Sequence, residues 1–206
     1  MIRQAAGLTH SLASGLLILG ATMLPGSAGW AAPNRAVVEA NALYGAGNYQ
    51  EALDAYERLA TERPESAELQ FNRGAAFYQL GDLAKAREAF EQAGVLAEDP
   101  AFQALSAYNL GNCAFKEGQT KATEKPEEAI TALSQSVGYY KDALARDQSL
   151  DSAANNLEMA KRKIQELRQQ MQQQEQQQQQ EQQKKEEMKG KLDDLIKEQE
   201  QQNQQS

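Results

Sequence analysis

Gly47-Asn48-Tyr49-Gln50-Glu51-Ala52-Leu53 returns in outline 34 residues later as Gly81-Asp82-Leu83-Ala84-Lys85-Ala86-Arg87. The same offset pairs Tyr56 with Phe90 and Leu59 with Ala93. A third copy opens at YNLGNCAFKEG (residues 108–118), parallel to FNRGAAFYQLG (residues 71–81). A fixed period of this size marks stacked supersecondary units, none of which buries its apolar face alone.

Each unit reads as a pair of antiparallel helices, which makes the chain all-α. Gly74 and Gly111 lack side chains where the first helix presses on the second. Gly47, Gly81 and Gly118 are expected at the turns, where a left-handed backbone costs glycine little. Ala52, Ala86 and Ala129 keep the second helix close, and Tyr56, Phe90 and Tyr140 fill the space between units. Pro64 and Pro100 are expected just after helices, closing the first and second units.

These residues and this period resemble the tetratricopeptide repeat (TPR). The resemblance implies a right-handed helix-hairpin solenoid with a concave groove for protein or peptide partners. The repeats fall at about 33–66, 67–100 and an expanded 104–150. A capping helix over 151–163 completes a repeat domain spanning 32–163. The third repeat is stretched: QTKATEKPEE separates Gly118 from Ala129, and seven residues beyond the usual spacing separate Ala129 from Tyr140. Seven residues are close to two helical turns, so the second helix can lengthen and keep its buried face. Pro126, Glu127 and Glu128 read as a helix start. The cap, NNLEMAKRK (residues 155–163), echoes YNLG with Glu158 in place of glycine.

From residue 164 to 206 the chain is a glutamine-rich charged tail. Leu157, Ala160, Ile164, Leu167 and Met171 form a short heptad seam running out of the cap. Residues 172–187 contain almost nothing apolar, so the segment is either helical or disordered. Met188, Leu192, Leu195 and Ile196 make a last amphipathic patch. The tail is either solvated or a partner-binding, self-associating coiled coil.

Composition excludes much chemistry. The 206 residues carry a net charge of -8, which disfavours nucleic acid, and only 6% are aromatic. The single histidine is His10, inside what reads as an export signal over 1–31: Arg3, the apolar run LASGLLILGATML (residues 12–24), then small residues. Cleavage is expected after Ala31, between Ala31 and Ala32, with Gly29 and Ala31 as the small processing residues. The mature chain then has no histidine, and catalytic triads and His-containing zinc sites fall away. No catalytic residue, metal, cofactor or small-molecule substrate is expected, and the protein is read as no enzyme. Cys113, the one cysteine, reads as a buried thiol, with a redox role as the alternative.

In TPR proteins the first helix of each repeat lines the groove. By register that places Val37, Asn41 and Tyr44; Phe71, Asn72, Ala75 and Tyr78; and Leu105, Tyr108, Asn109, Asn112 and Phe115 on it. Asparagine amides suit a peptide backbone and aromatic rings its side chains. A carboxylate clamp of the chaperone-binding kind is not expected. Asn41 and Asn72 match its asparagines, but Val37, Leu105 and Asn109 stand where it needs cations.

Signal, repeats, the stretched YNLGN and YYKDAL repeat, NNLEMAKRK and the glutamine-rich tail together resemble the Bat-type TPR proteins (Bacteroides aerotolerance, BatC or BatE style) over about residues 32–183. That resemblance implies a periplasmic protein, peripheral at the inner membrane, working with a von Willebrand A-domain membrane protein and a MoxR-type ATPase in envelope stress tolerance. The functional expectation is a non-catalytic protein-protein interaction adaptor or scaffold. The alternative is a holdase-like envelope assembly chaperone.

Overall fold

The computed structural model describes residues 35–205, and the expected signal with Ala31 and Ala32 lies outside the described residues. Seven helices and no strand occur there: α1 Arg35–Gly45, α2 Tyr49–Glu62, α3 Ala67–Leu80, α4 Leu83–Leu96, α5 Pro100–Lys121, α6 Pro126–Arg146 and α7 Asp151–Gln205. The chain divides into two compact units, Met1–Lys161 and Arg162–Ser206.

In the first unit the turns follow from local chemistry. Gly47 and Gly81 adopt φ of +83° and +86°. The Asn48 amide reaches back to the Leu43 carbonyl, and the Asp82 amide to that of Phe77, both at 3.0 Å. The two hairpins thus turn through the same left-handed C-terminal motif. Ser66, Asp82 and Asp99 cap the next helices by accepting the amides of Leu69, Lys85 and Ala101, each cap contributing about 1 kcal/mol.

The expected close approaches are present. Ala52, Ala86, Ala129, Tyr56, Phe90 and Tyr140 are fully buried. A β-carbon on Gly74 would meet the Phe90 ring at 2.9 Å, and one on Gly111 would overlap the Tyr140 ring. The Phe71 ring stands edge-on to both Phe90 and Phe102, with centroids 5.3 Å apart in each case. Burying a side chain of this size contributes about 1.5–3 kcal/mol.

Three expectations need correction. Gly118 is not at a turn; it lies inside α5, where a β-carbon would meet Leu133 Cγ at 2.6 Å and the Ala129 carbonyl oxygen at 3.0 Å. The glycine serves the α5–α6 approach, and the chain turns only after Lys121. Pro100 does follow α4, which ends at Leu96, but it also opens α5 as its first residue behind the Asp99 cap, so the third hairpin starts at 100 rather than 104. Proline suits that position because its missing N–H would have had no intrahelical partner. Both helices of the hairpin are long, 22 and 21 residues against 14 in α2, α3 and α4, whereas only the second was expected to lengthen. Pro126 starts α6 with Glu127 and Glu128 in its first turn, as expected.

Polar ties act both within the third hairpin and between it and the second. Glu117 takes Arg87 at 3.5 Å and Lys121 at 2.9 Å, and Glu128 takes Lys121 at 3.2 Å and Lys125 at 3.1 Å. Lys116 Nζ donates to the Tyr78 carbonyl at 3.2 Å and lies 4.5 Å from the centroid of the Tyr78 ring. The same carbonyl also accepts the amide of Gly81, the C-cap of α3, at 3.2 Å, so Lys116 fills its second lone pair.

The second unit is helical through Gln205. Side chains described between 172 and 192 are exposed. Met188, Leu192, Leu195 and Ile196 are exposed apolar residues.

Candidate partner-binding site

The first helices present a repeating polar seam. Asn41 Oδ1 accepts from the Tyr56 hydroxyl at 2.7 Å and from Asn72 Nδ2 at 3.2 Å. Asn112 Oδ1 accepts from the Tyr140 hydroxyl at 2.9 Å and from Asn156 Nδ2 at 3.0 Å. The two sets are equivalent by register. Each joins an asparagine of one first helix, a tyrosine of the following second helix and an asparagine of the next first helix. The middle repeat carries Ala75 and Phe90 at the first two of these positions, so this junction is closed by apolar contact instead.

The consequence appears at the third position of that junction. Asn109 accepts from Asn112 Nδ2 at 3.2 Å through its oxygen, but its own Nδ2 is buried without a partner, as is Asn72 Oδ1. An unfilled donor and an unfilled acceptor thus remain in the seam, and each buried polar group of this kind costs about 1–3 kcal/mol.

Of the nine expected groove residues, Tyr44, Phe71, Asn72, Tyr78, Tyr108, Asn109 and Asn112 are buried, while Asn41 and Phe115 are half-buried. Most of the expected set therefore already has work inside the repeat unit. Of the other first-helix positions, Val37 and Ala75 are buried and Leu105 is half-buried. The tyrosine hydroxyls follow this placement. Burial pushes Tyr44 up to about 12, partly offset by Gln79, and raises Tyr56 and Tyr140 as well.

Sequence reasoning missed Asn156, whose amide also reaches the Tyr108 hydroxyl at 3.3 Å. Its signal was present, since NNLE aligned with YNLG puts Asn156 in register with Asn109 and Asn72. The polar roles of Tyr56 and Tyr140, expected only as fillers, were missed for the same reason: the hydroxyl partner lies on another helix.

Cys113 is fully buried and free, and burial pushes its thiol up to about 12. A thiol so held is a weak nucleophile at neutral pH. Among the described residues no group of three or more His, Cys, Asp or Glu side chains could hold a metal ion. No helix there is long and apolar enough to cross a membrane.

Residues 37–101 match the family model described as tetratricopeptide repeat. No curated protein matches the chain. Among solved structures, the chain is similar to the first TPR domain of the human RPAP3 protein, with 20% identity and a TM-score of 0.53 over 65% of this chain and 92% of that one. The first TPR of Spaghetti (RPAP3), bound to the HSP90 peptide SRMEEVD, gives 20% and 0.51 over 62% and 89%. The Sgt2 TPR domain from Aspergillus fumigatus gives 24% and 0.53 over 66% and 80%. At these identities the likeness shows the fold, and with the matched repeats at 37–101 it makes the helical hairpins of the first unit a tetratricopeptide-repeat solenoid.

Proposed function

We propose that the protein is a non-catalytic adaptor of the bacterial envelope that binds a partner polypeptide on the side formed by α1, α3 and α5. The observation that carries this reading is the tetratricopeptide-repeat fold of the first unit, whose first helices keep Asn72 and Asn109 inside the hairpin stack and leave neighbouring positions part-exposed. Half-buried Asn41, Leu105 and Phe115 are the parts of this side that a partner meets first. The similar Spaghetti domain was solved with a peptide bound, which supports a polypeptide as the partner class. A free C-terminal carboxylate is a poor ligand here, because Val37, Leu105 and Asn109 supply no charge.

The finer reading follows the Bat-type resemblance: export by the segment over 1–31, then assembly with a von Willebrand A-domain membrane protein and a MoxR-type ATPase. N-terminal sequencing of the protein recovered from periplasm tests export, with Ala32 as the expected first residue. Site-specific photocrosslinkers at Asn41 and Phe115, applied in native cells, test the partner. Recovery of one or two stoichiometric partners, one with a von Willebrand A domain, supports the adaptor. A broad set of unfolded clients supports an assembly chaperone instead, and retention of the protein in the cytoplasm refutes the envelope reading.

A further inference from the structure

A second surface lies on α4, away from the asparagine seam. Two adjoining cavities run along this helix and share Glu88 and Gln92 in their walls. The first, about 260 Å³, is bounded by α2, α3 and α4 and contains Phe77 with Lys85. The second, about 590 Å³, is a mostly apolar trough between Pro64 and Gln70 on one side and Glu91, Val95 and Leu96 on the other.

The trough combines exposed apolar side chains with carboxylates that make no ion pair. Val95 is 85% exposed, more than any other large apolar side chain among the described residues, and Leu96 beside it is 37% exposed. Glu88 and Glu91 precede Val95 by two turns and one turn, about 10 Å and 6 Å along the helix. Among the described residues neither carboxylate has a cation within ion-pair distance, although most of the cations in this unit are paired. An apolar anchor site therefore lies in line with two carboxylates that make no ion pair among the described residues.

We propose that this trough is a second docking surface, and that its occupant is a basic amphipathic helix of another protein. The helix would run antiparallel to α4, seating a bulky apolar side chain beside Val95 and Leu96. Lysine or arginine one and two turns further on would pair with Glu91 and Glu88. The surface is independent of the seam on α1, α3 and α5, so the protein would hold two polypeptides at once, one on each side.

The test uses the full chain, labelled with nitrogen-15, and a helical alanine-based peptide of about 16 residues. The peptide carries two leucines followed at one and two turns by two lysines, and a matched peptide carries glutamates there instead. The lysine peptide is expected to shift the amide signals of Glu91, Val95 and Leu96 and to bind at least about tenfold more tightly than the glutamate peptide. Glu88→Lys with Glu91→Lys should reverse that preference. Val95→Ser, at a position too exposed to disturb folding, should weaken the lysine peptide about threefold to fivefold. Equal binding of both peptides, shifts confined to α1, α3 and α5, or no shifts at all would each overturn the proposal.

Discussion

Asn156 on α7 donates to Asn112 on α5 at 3.0 Å, the same bond that Asn72 on α3 makes to Asn41 on α1 at 3.2 Å. The capping helix is therefore joined to the third repeat by the contact that joins the second to the first. Asn156→Ala should lower stability by about 1 kcal/mol, because Asn112 keeps the Tyr140 hydroxyl while Tyr108 loses a donor. For a chain of this size that is about 2–4 °C in Tm. Neighbouring Asn155, which is exposed, serves as the control, with an alanine effect within about 0.5 kcal/mol.

The middle junction can be converted to the polar form. Phe90→Tyr alone buries a hydroxyl with no acceptor, and Ala75→Asn alone buries an amide without its tyrosine. Each should destabilise by about 1–3 kcal/mol. Together they rebuild the arrangement of Asn112 and Tyr140, and the unfilled Asn109 Nδ2 gains an acceptor. A double-mutant cycle from chemical denaturation should show a favourable coupling of about 1 kcal/mol or more. Strict additivity would refute the equivalence of the three junctions.

Glycine substitutions separate close approach from helix propensity. Gly111→Ala forces a β-carbon into the Tyr140 ring, and Gly118→Ala forces one against Leu133 and the Ala129 carbonyl. Both should destabilise by about 1–3 kcal/mol or more. Gly138 lies within α6, where an added β-carbon would meet nothing within 4 Å, so Gly138→Ala should stabilise by up to about 1 kcal/mol. Thermal melts of the three variants beside the parent protein give the order directly.

Alkaline pH should unfold the protein through groups whose ionisation burial opposes. The Cys113 thiol and the Tyr44 hydroxyl are both raised to about 12, and Tyr56 and Tyr140 are raised too. A raised folded pKa contributes stability that is complete below the unfolded value and lost as pH climbs through the folded one. For the thiol the decline starts near pH 9, for the tyrosines near pH 10, and both continue to about 12. The urea midpoint should therefore fall steeply across that window, and Cys113→Ala should remove its earliest part. In the folded protein Cys113 should stay unlabelled by iodoacetamide at pH 8 and react on denaturation.

The local signals were the readable ones. Gly47, Gly81, Tyr56, Phe90 and Tyr140 each announce a turn or a filler through residue type and period, and the structure places them so. Gly118 misleads because one residue type answers two physical demands, a left-handed turn and a close helix approach. Pro100 misleads likewise, since proline is favoured both just after one helix and at the first position of the next. The composition of residues 172–187 left helix and disorder equally open, because glutamine gives propensity without a face to bury; the chain there is helical. On the groove, register identified the asparagines but not their occupation, since the tyrosine that engages each one lies 15 or 28 residues away.

The polar joints also show what each hairpin carries with it. Tyr56 and Asn41 share one hairpin, as do Tyr140 and Asn112, so each tyrosine–asparagine bond is made before any stacking. Only the second asparagine contact, from Asn72 to Asn41 and from Asn156 to Asn112, passes between neighbours. The hairpin thus arrives with its acceptor oxygen already oriented, and stacking adds a single amide donor to a preformed site.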